Sequence, residues 1–98
     1  MDIFEKDSDA LLDYYIDWTA WVTTGDTISA SSWAIVDTSP DLTIEYETYD
    51  GLVTAVWVSG GVVGKTYTLT NTITTVGDGV HHRITERSIQ IKTVRFHE

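Results

Sequence analysis

Between Thr66 and Thr75 the chain reads Thr-Tyr-Thr-Leu-Thr-Asn-Thr-Ile-Thr-Thr. Threonine holds every second position, and Tyr67, Leu69, Asn71 and Ile73 hold the positions between. A period of two is the period of a β-strand, whose successive side chains point to opposite faces. Threonine keeps the β-branched shape that strands favour while offering a hydroxyl to water. The segment therefore predicts a half-buried antiparallel strand. Composition extends the reading to the whole chain: Thr, Val and Ile make up 35 of the 98 residues, and there is one Pro. These proportions predict an all-β domain.

The remaining strands are read from alternation and turn signals. Tyr14, Ile16 and Trp18 alternate with Asp13, Tyr15 and Asp17, and Gly25-Asp26 ends that segment. A helix would also suit Leu11, Tyr14, Tyr15 and Trp18, but the aromatic and β-branched content favours a strand. Thr27 to Val36 is a second strand, with a bulge expected where Ser29, Ser31 and Ser32 blur its pattern. Leu42 to Tyr49 alternates, with Leu42, Ile44, Tyr46 and Thr48 on one side. Asp50-Gly51 then marks a two-residue hairpin turn. Leu52 to Ser59 is apolar on both faces, as a central strand is. In the last strand Ile89 and Ile91 differ in parity from Ile84, Val94 and Phe96, which predicts a bulge near Glu86-Arg87-Ser88. About seven strands at intervals of about ten residues describe an antiparallel β-sandwich. Residues 1–10 read as an acidic N-terminal arm, extended or loosely held, and 11–98 as the single sandwich domain. The four tryptophans (18, 21, 33 and 57) are expected to supply much of the core.

Ninety-eight residues suffice for one core. There is no cysteine, so packing and strand pairing alone hold the fold, which suits synthesis in a reducing cytoplasm. The net charge of -9 argues against nucleic acid as a partner, because phosphates need a basic face. No apolar stretch has the length of a membrane span, and the start Met1-Asp2-Ile3-Phe4-Glu5 is no secretory signal. Twelve of the fifteen acids fall in residues 1–50, beside one base, Lys6. Such a half serves as a solvated face or as a docking surface for a basic partner.

Catalytic and cofactor patterns are missing: no Gly-x-Ser-x-Gly, no Walker loop and no His-Glu-x-x-His. Gly60-Gly61-x-x-Gly64 lies between strands, whereas a phosphate cradle needs a helix after it. His81 and His82 are adjacent, so a strand points them apart, and His97 lies in the tail. Asp13 and Asp17 would stand about 13 Å apart, too far for a catalytic carboxylate pair. Glu45 and Glu47 are closer but face solvent. Asp2, Asp7 and Asp9 could cluster around calcium, without any EF-hand spacing. No cofactor, metal or catalytic residue is expected. Asn71, among inward residues, is expected to make a structural hydrogen-bonded link. Glu86-Arg87 offers an ion pair. Tyr15 and Tyr49, on strands with acidic outward neighbours, are the candidates for an exposed aromatic surface. With Glu45 and Glu47 they form the expected interaction surface, for a protein or for carbohydrate.

Several phrases then occur in a telling order: Asp13-Tyr14-x-Ile16-Asp17-Trp18-x-x-Trp21; Gly25-Asp26-Thr27-Ile28 with Ser32-Trp33; Val56-Trp57-Val58-Ser59-Gly60-Gly61 through Tyr67-x-Leu69-Thr70-Asn71-x-Ile73-Thr74-Thr75; and Glu86-Arg87-Ser88-Ile89-x-Ile91. Over about residues 4–94 the chain resembles small proteins of tailed phages and prophages, of the fiber–tail adaptor type, with an immunoglobulin-like sandwich. The resemblance implies a non-enzymatic virion protein, made in the host cytoplasm, that joins tail, fiber or head parts through protein–protein contacts. It implies other virion proteins as partners, a homo-oligomer in the particle, and a monomer or weak oligomer in isolation. A carbohydrate-binding module of a receptor-recognition apparatus is the alternative. One departure stands out: Gly79-Val80-His81-His82-Arg83 lengthens a hairpin where the family has a compact turn.

Overall fold

A computed structural model describes residues 2–7, 10–22, 25–36, 41–77 and 82–94. It contains seven strands: β1 Asp2–Asp7, β2 Leu12–Asp17, β3 Thr27–Ile35, β4 Leu42–Asp50, β5 Val53–Gly60, β6 Thr66–Val76 and β7 His82–Val94. They form two sheets. One has the order β1-β7-β6-β3 and the other β2-β5-β4. Every pairing is antiparallel except β1 with β7. This is the order of an immunoglobulin-like sandwich, and two further features of that fold are present. Trp33 lies buried on β3 of the larger sheet. At the start of β6, the Tyr67 hydroxyl accepts the Val62 N–H at 2.9 Å, pinning the β5–β6 loop.

The core lies between the sheets. Tyr14, Ile16 and Trp18 face Tyr67, Leu69, Ile73, Ile89 and Ile91, with Val56 and Val58 in the centre of the smaller sheet. Each large aliphatic side chain buried here contributes about 1.5–3 kcal/mol. β6 follows its sequence: Tyr67, Leu69, Asn71 and Ile73 are fully buried, and threonines between them face outward. The bulge foreseen in β3 falls between Ile28 and Ala30. It changes the parity of the strand, so Ile28 and Trp33 both reach the core.

At the centre of the sandwich sits the Asn71 amide. Its Oδ1 accepts from Trp18 Nε1 at 3.0 Å and Thr54 Oγ1 at 2.6 Å. Its Nδ2 donates to Ser31 Oγ at 3.0 Å and the Ser32 carbonyl at 2.9 Å. The expected link therefore ties β6 to β3, to β5 of the other sheet and to the chain after β2.

Several expectations are corrected. Residues 2–7 pair with β7 as β1. Lys6 there is fully buried and donates to the Gly60 carbonyl at 2.8 Å, tying β1 to the opposite sheet. β7 has no bulge near Glu86: its register with β6 runs unbroken from His82 to Lys92. Ile84 simply stands on the outer face, 74% exposed. Phe96 lies outside the described residues. β4 carries an unforeseen bulge between Ile44 and Tyr46, which turns Tyr46 out of the core. The β4–β5 turn is Gly51-Leu52, one residue later than Asp50-Gly51, because Asp50 still pairs with Val53. Gly51 has φ +61, as a two-residue turn with Gly first requires. Of the four tryptophans only Trp18 and Trp33 are buried; Trp57 is half-buried and Trp21 is 59% exposed.

Candidate functional site

Strand register decides which side chains share the outer face of the smaller sheet. Asp13 is opposite Trp57, and Trp57 is opposite Tyr46. Tyr15 is opposite Ala55, and Ala55 is opposite Thr48. These residues alternate with the inward Tyr14, Ile16, Val56 and Val58, so they point away from the core. The result is a row of three rings across three strands. The Tyr15 and Trp57 centroids are 6.2 Å apart with the planes at 71°, and Tyr46 and Trp57 are 5.4 Å apart at 58°. Tyr15 and Tyr46 are 52% and 60% exposed. Trp57 is the half-buried floor, and the two phenol rings rise steeply on either side of it.

Acids flank the row. The Tyr15 hydroxyl donates to Asp13 Oδ2 at 2.5 Å, which fixes the ring. That hydrogen bond raises the phenol's pKa, so Tyr15 stays protonated. On the other flank Glu45 Oε2 accepts from Ser59 Oγ at 2.5 Å. Farther along β2, Asp17 Oδ1 accepts the Thr19 hydroxyl at 2.6 Å and the Thr19 N–H at 3.0 Å. These bonds hold its carboxyl below the usual range, as an anion. Asp50, opposite Val53 and hence Asp17, shares this face. Strands β2, β4 and β5 contain five acids and no Lys or Arg.

The four residues expected as an interaction surface divide between the two sides of this sheet. Tyr15 and Glu45 lie on the outer face. Glu47 and Tyr49 have the parity of the inward Val56 and Thr54. The Tyr49 hydroxyl reaches across to the Ser29 carbonyl at 3.1 Å, beside the β3 bulge, and closes that edge of the sandwich. Tyr15 and Tyr49 thus do not share a platform. Tyr46 and Trp57 take that place beside Tyr15. Sequence alternation placed Tyr46 on the side of Leu42 and Ile44, because the bulge that reverses its side has no glycine or proline to announce it.

A concavity of about 460 Å³ lies at one end of the sandwich, away from the ring row, and is lined by Trp21, Val22, Asp26, Thr75, Arg83, Ile84 and Thr85. Asp26 is nearly buried there and accepts from Arg83 at 2.8 Å. The Arg87 guanidinium lies 4.0 Å from the Trp21 ring centroid, while Glu86 accepts weakly from Thr72 at 3.5 Å. Arg87 is thus placed on an aromatic ring.

Among the described residues no three His, Asp or Glu side chains group as metal ligands. His81, His97, Asp9 and the side chains of Asp2 and Asp7 lie outside the described residues. So does the tip of the lengthened hairpin, residues 78–81.

The chain matches the family model described as "Podophage GP4 fiber-tail adaptor protein gp77" over residues 6–92. A comparison with curated proteins finds no match. The family match spans both sheets and every side chain of the aromatic row. The chain belongs to the podophage fiber–tail adaptor family and is a structural component of the phage tail.

Proposed function

We propose that the protein is a non-enzymatic adaptor that joins virion parts by protein–protein contact through the outer face of the β2-β5-β4 sheet. The observation that carries this reading is the ring row of Tyr15, Trp57 and Tyr46. Aromatic side chains supply most of the anchoring energy at protein interfaces, in part because they lose little rotamer freedom on burial. Here they stand on the strands of a rigid sandwich, with Tyr15 already fixed by Asp13. The partners are other virion proteins. In isolation the chain is a monomer or weak oligomer, and further copies assemble in the particle. It is made in the host cytoplasm.

The absence of cysteine gives a direct test. A single cysteine placed at Thr48, on the outer face, takes a bulky maleimide at that position alone. The labelled protein is expected to fail to enter particles. The same label at Glu86→Cys, on the outer face of the larger sheet, is expected to be tolerated. The opposite result refutes the assignment.

The exposed rings also give a second reading, a carbohydrate-binding module. Flat stacking of a sugar chain needs rings in one plane, whereas these planes meet at 58° and 71°. Saturable binding on a glycan array, lost in Tyr46→Thr, would establish that reading.

A further inference from the structure

We propose that the outer face of the β2-β5-β4 sheet receives a Lys- or Arg-bearing surface of another virion protein, with a cationic head group seated on Trp57 between Tyr15 and Tyr46. The proposal rests on the adaptor reading above and names the chemistry of the partner.

Charge decides the matter. An occupant that covers the three rings also covers their flanks, Asp13 beside Tyr15 and Glu45 beside Tyr46. Asp17 and Asp50 stand farther along the same face. None of the three strands supplies a base. An apolar or acidic partner would strip water from carboxylates and give nothing in return, an uncompensated desolvation. A basic partner supplies the missing counter-charge.

Ring geometry points the same way. Neither tyrosine stacks flat on the Trp57 indole, and that ring stays partly exposed in the row. A cation over an indole face is attracted by the ring quadrupole, and tryptophan is the strongest of the three aromatic types in this respect. The molecule already uses that pairing where Arg87 covers Trp21 at 4.0 Å. The outer face repeats the aromatic half of the arrangement without a cation from its own strands. The two flanking acids orient a guanidinium or ammonium from both sides.

The test uses the full chain and two probes of equal shape, a tetra-arginine amide and a tetra-citrulline amide, followed by two-dimensional NMR at 0.15 M ionic strength. The arginine peptide is expected to shift the Trp57 indole and the Tyr15 and Tyr46 rings, and to bind at least about fivefold more tightly than citrulline. The exposed double substitution Tyr15→Thr/Tyr46→Thr is expected to weaken it about fivefold. Thr48→Lys, which sets a resident cation beside the rings and leaves them intact, is expected to do the same. Equal binding of the two peptides, or arginine shifts unaffected by either variant, overturns the proposal.

Particle incorporation separates its failure from that of the adaptor reading. Wild type present and Thr48→Lys lost supports the proposal. Both present in equal amount overturns the basic partner and leaves the adaptor standing. Wild type absent from particles overturns both.

Discussion

Replacing Asn71 tests the centre of the fold. Its amide makes four hydrogen bonds and is fully buried. Asn71→Ala removes all four and leaves a cavity. At about 1 kcal/mol net for each bond, the loss is about 4 kcal/mol. Trp18 Nε1 keeps part of its share, because it also donates to Thr54 Oγ1 at 3.2 Å. The expected destabilisation is therefore about 3–4 kcal/mol, a large part of the stability of a domain this size. At 4–8 °C per kcal/mol, the melting temperature falls by roughly 12–30 °C. Urea unfolding followed by tryptophan fluorescence gives the free energy, and thermal circular dichroism gives the shift. Asn71→Leu fills the volume but takes the acceptor from the Thr54 hydroxyl and the amide donor from the Ser32 carbonyl, so it too is expected to cost more than about 2 kcal/mol. A cost for Asn71→Ala under about 1 kcal/mol, with an unchanged urea slope, would refute the view of Asn71 as the bolt between the sheets.

Three further outcomes are expected. Tyr67→Phe keeps the buried ring but loses the acceptor for Val62 N–H, and urea unfolding should show a cost of about 1 kcal/mol. Gly60→Ala sets a Cβ 2.5 Å from the Asp41 carbonyl oxygen at φ +81 and is expected to cost about 3 kcal/mol; Gly64→Ala, at φ +89 in open space, is expected to cost about 1 kcal/mol by the same assay. Burial, and then the Asp13 charge, push the Tyr14 hydroxyl up to about 12. Above pH 10 the unfolded chain loses this proton while the folded chain keeps it. Stability should thus be unaffected by Tyr14 below pH 10 and fall as pH rises through about 12, a decline that Tyr14→Phe should lessen in urea titrations from pH 9 to 11.5.

Alternation was most legible in β6. β6 pairs on both sides without a break in its β7 register, so its threonines and apolar residues report their faces directly. The β3 bulge announced itself through a serine cluster that blurred the pattern. The β4 bulge did not, because Glu45 and Tyr46 both suit an exposed strand. One hidden residue there moved Tyr46 from the side of Leu42 and Ile44 to the candidate surface. In β7 the opposite error arose: Ile84 suggested a bulge, although a single exposed apolar residue needs no explanation. β1 was hard to read because its partner lies more than eighty residues away, from Asp2 to Ile89, and because a lysine rarely marks a buried position. Asn71 was legible as a buried amide from its neighbours, but its four partners come from three separate parts of the chain and only the fold brings them together.

The central claim is that the ring row is the docking surface. A photo-crosslinking amino acid in place of Tyr46, carried into assembled particles, measures this directly. The expected result is an adduct with another virion protein from position 46 and none from the same probe at Glu86, on the outer face of the opposite sheet. An adduct from Glu86 with none from position 46, in particles that contain both variants, would contradict the account.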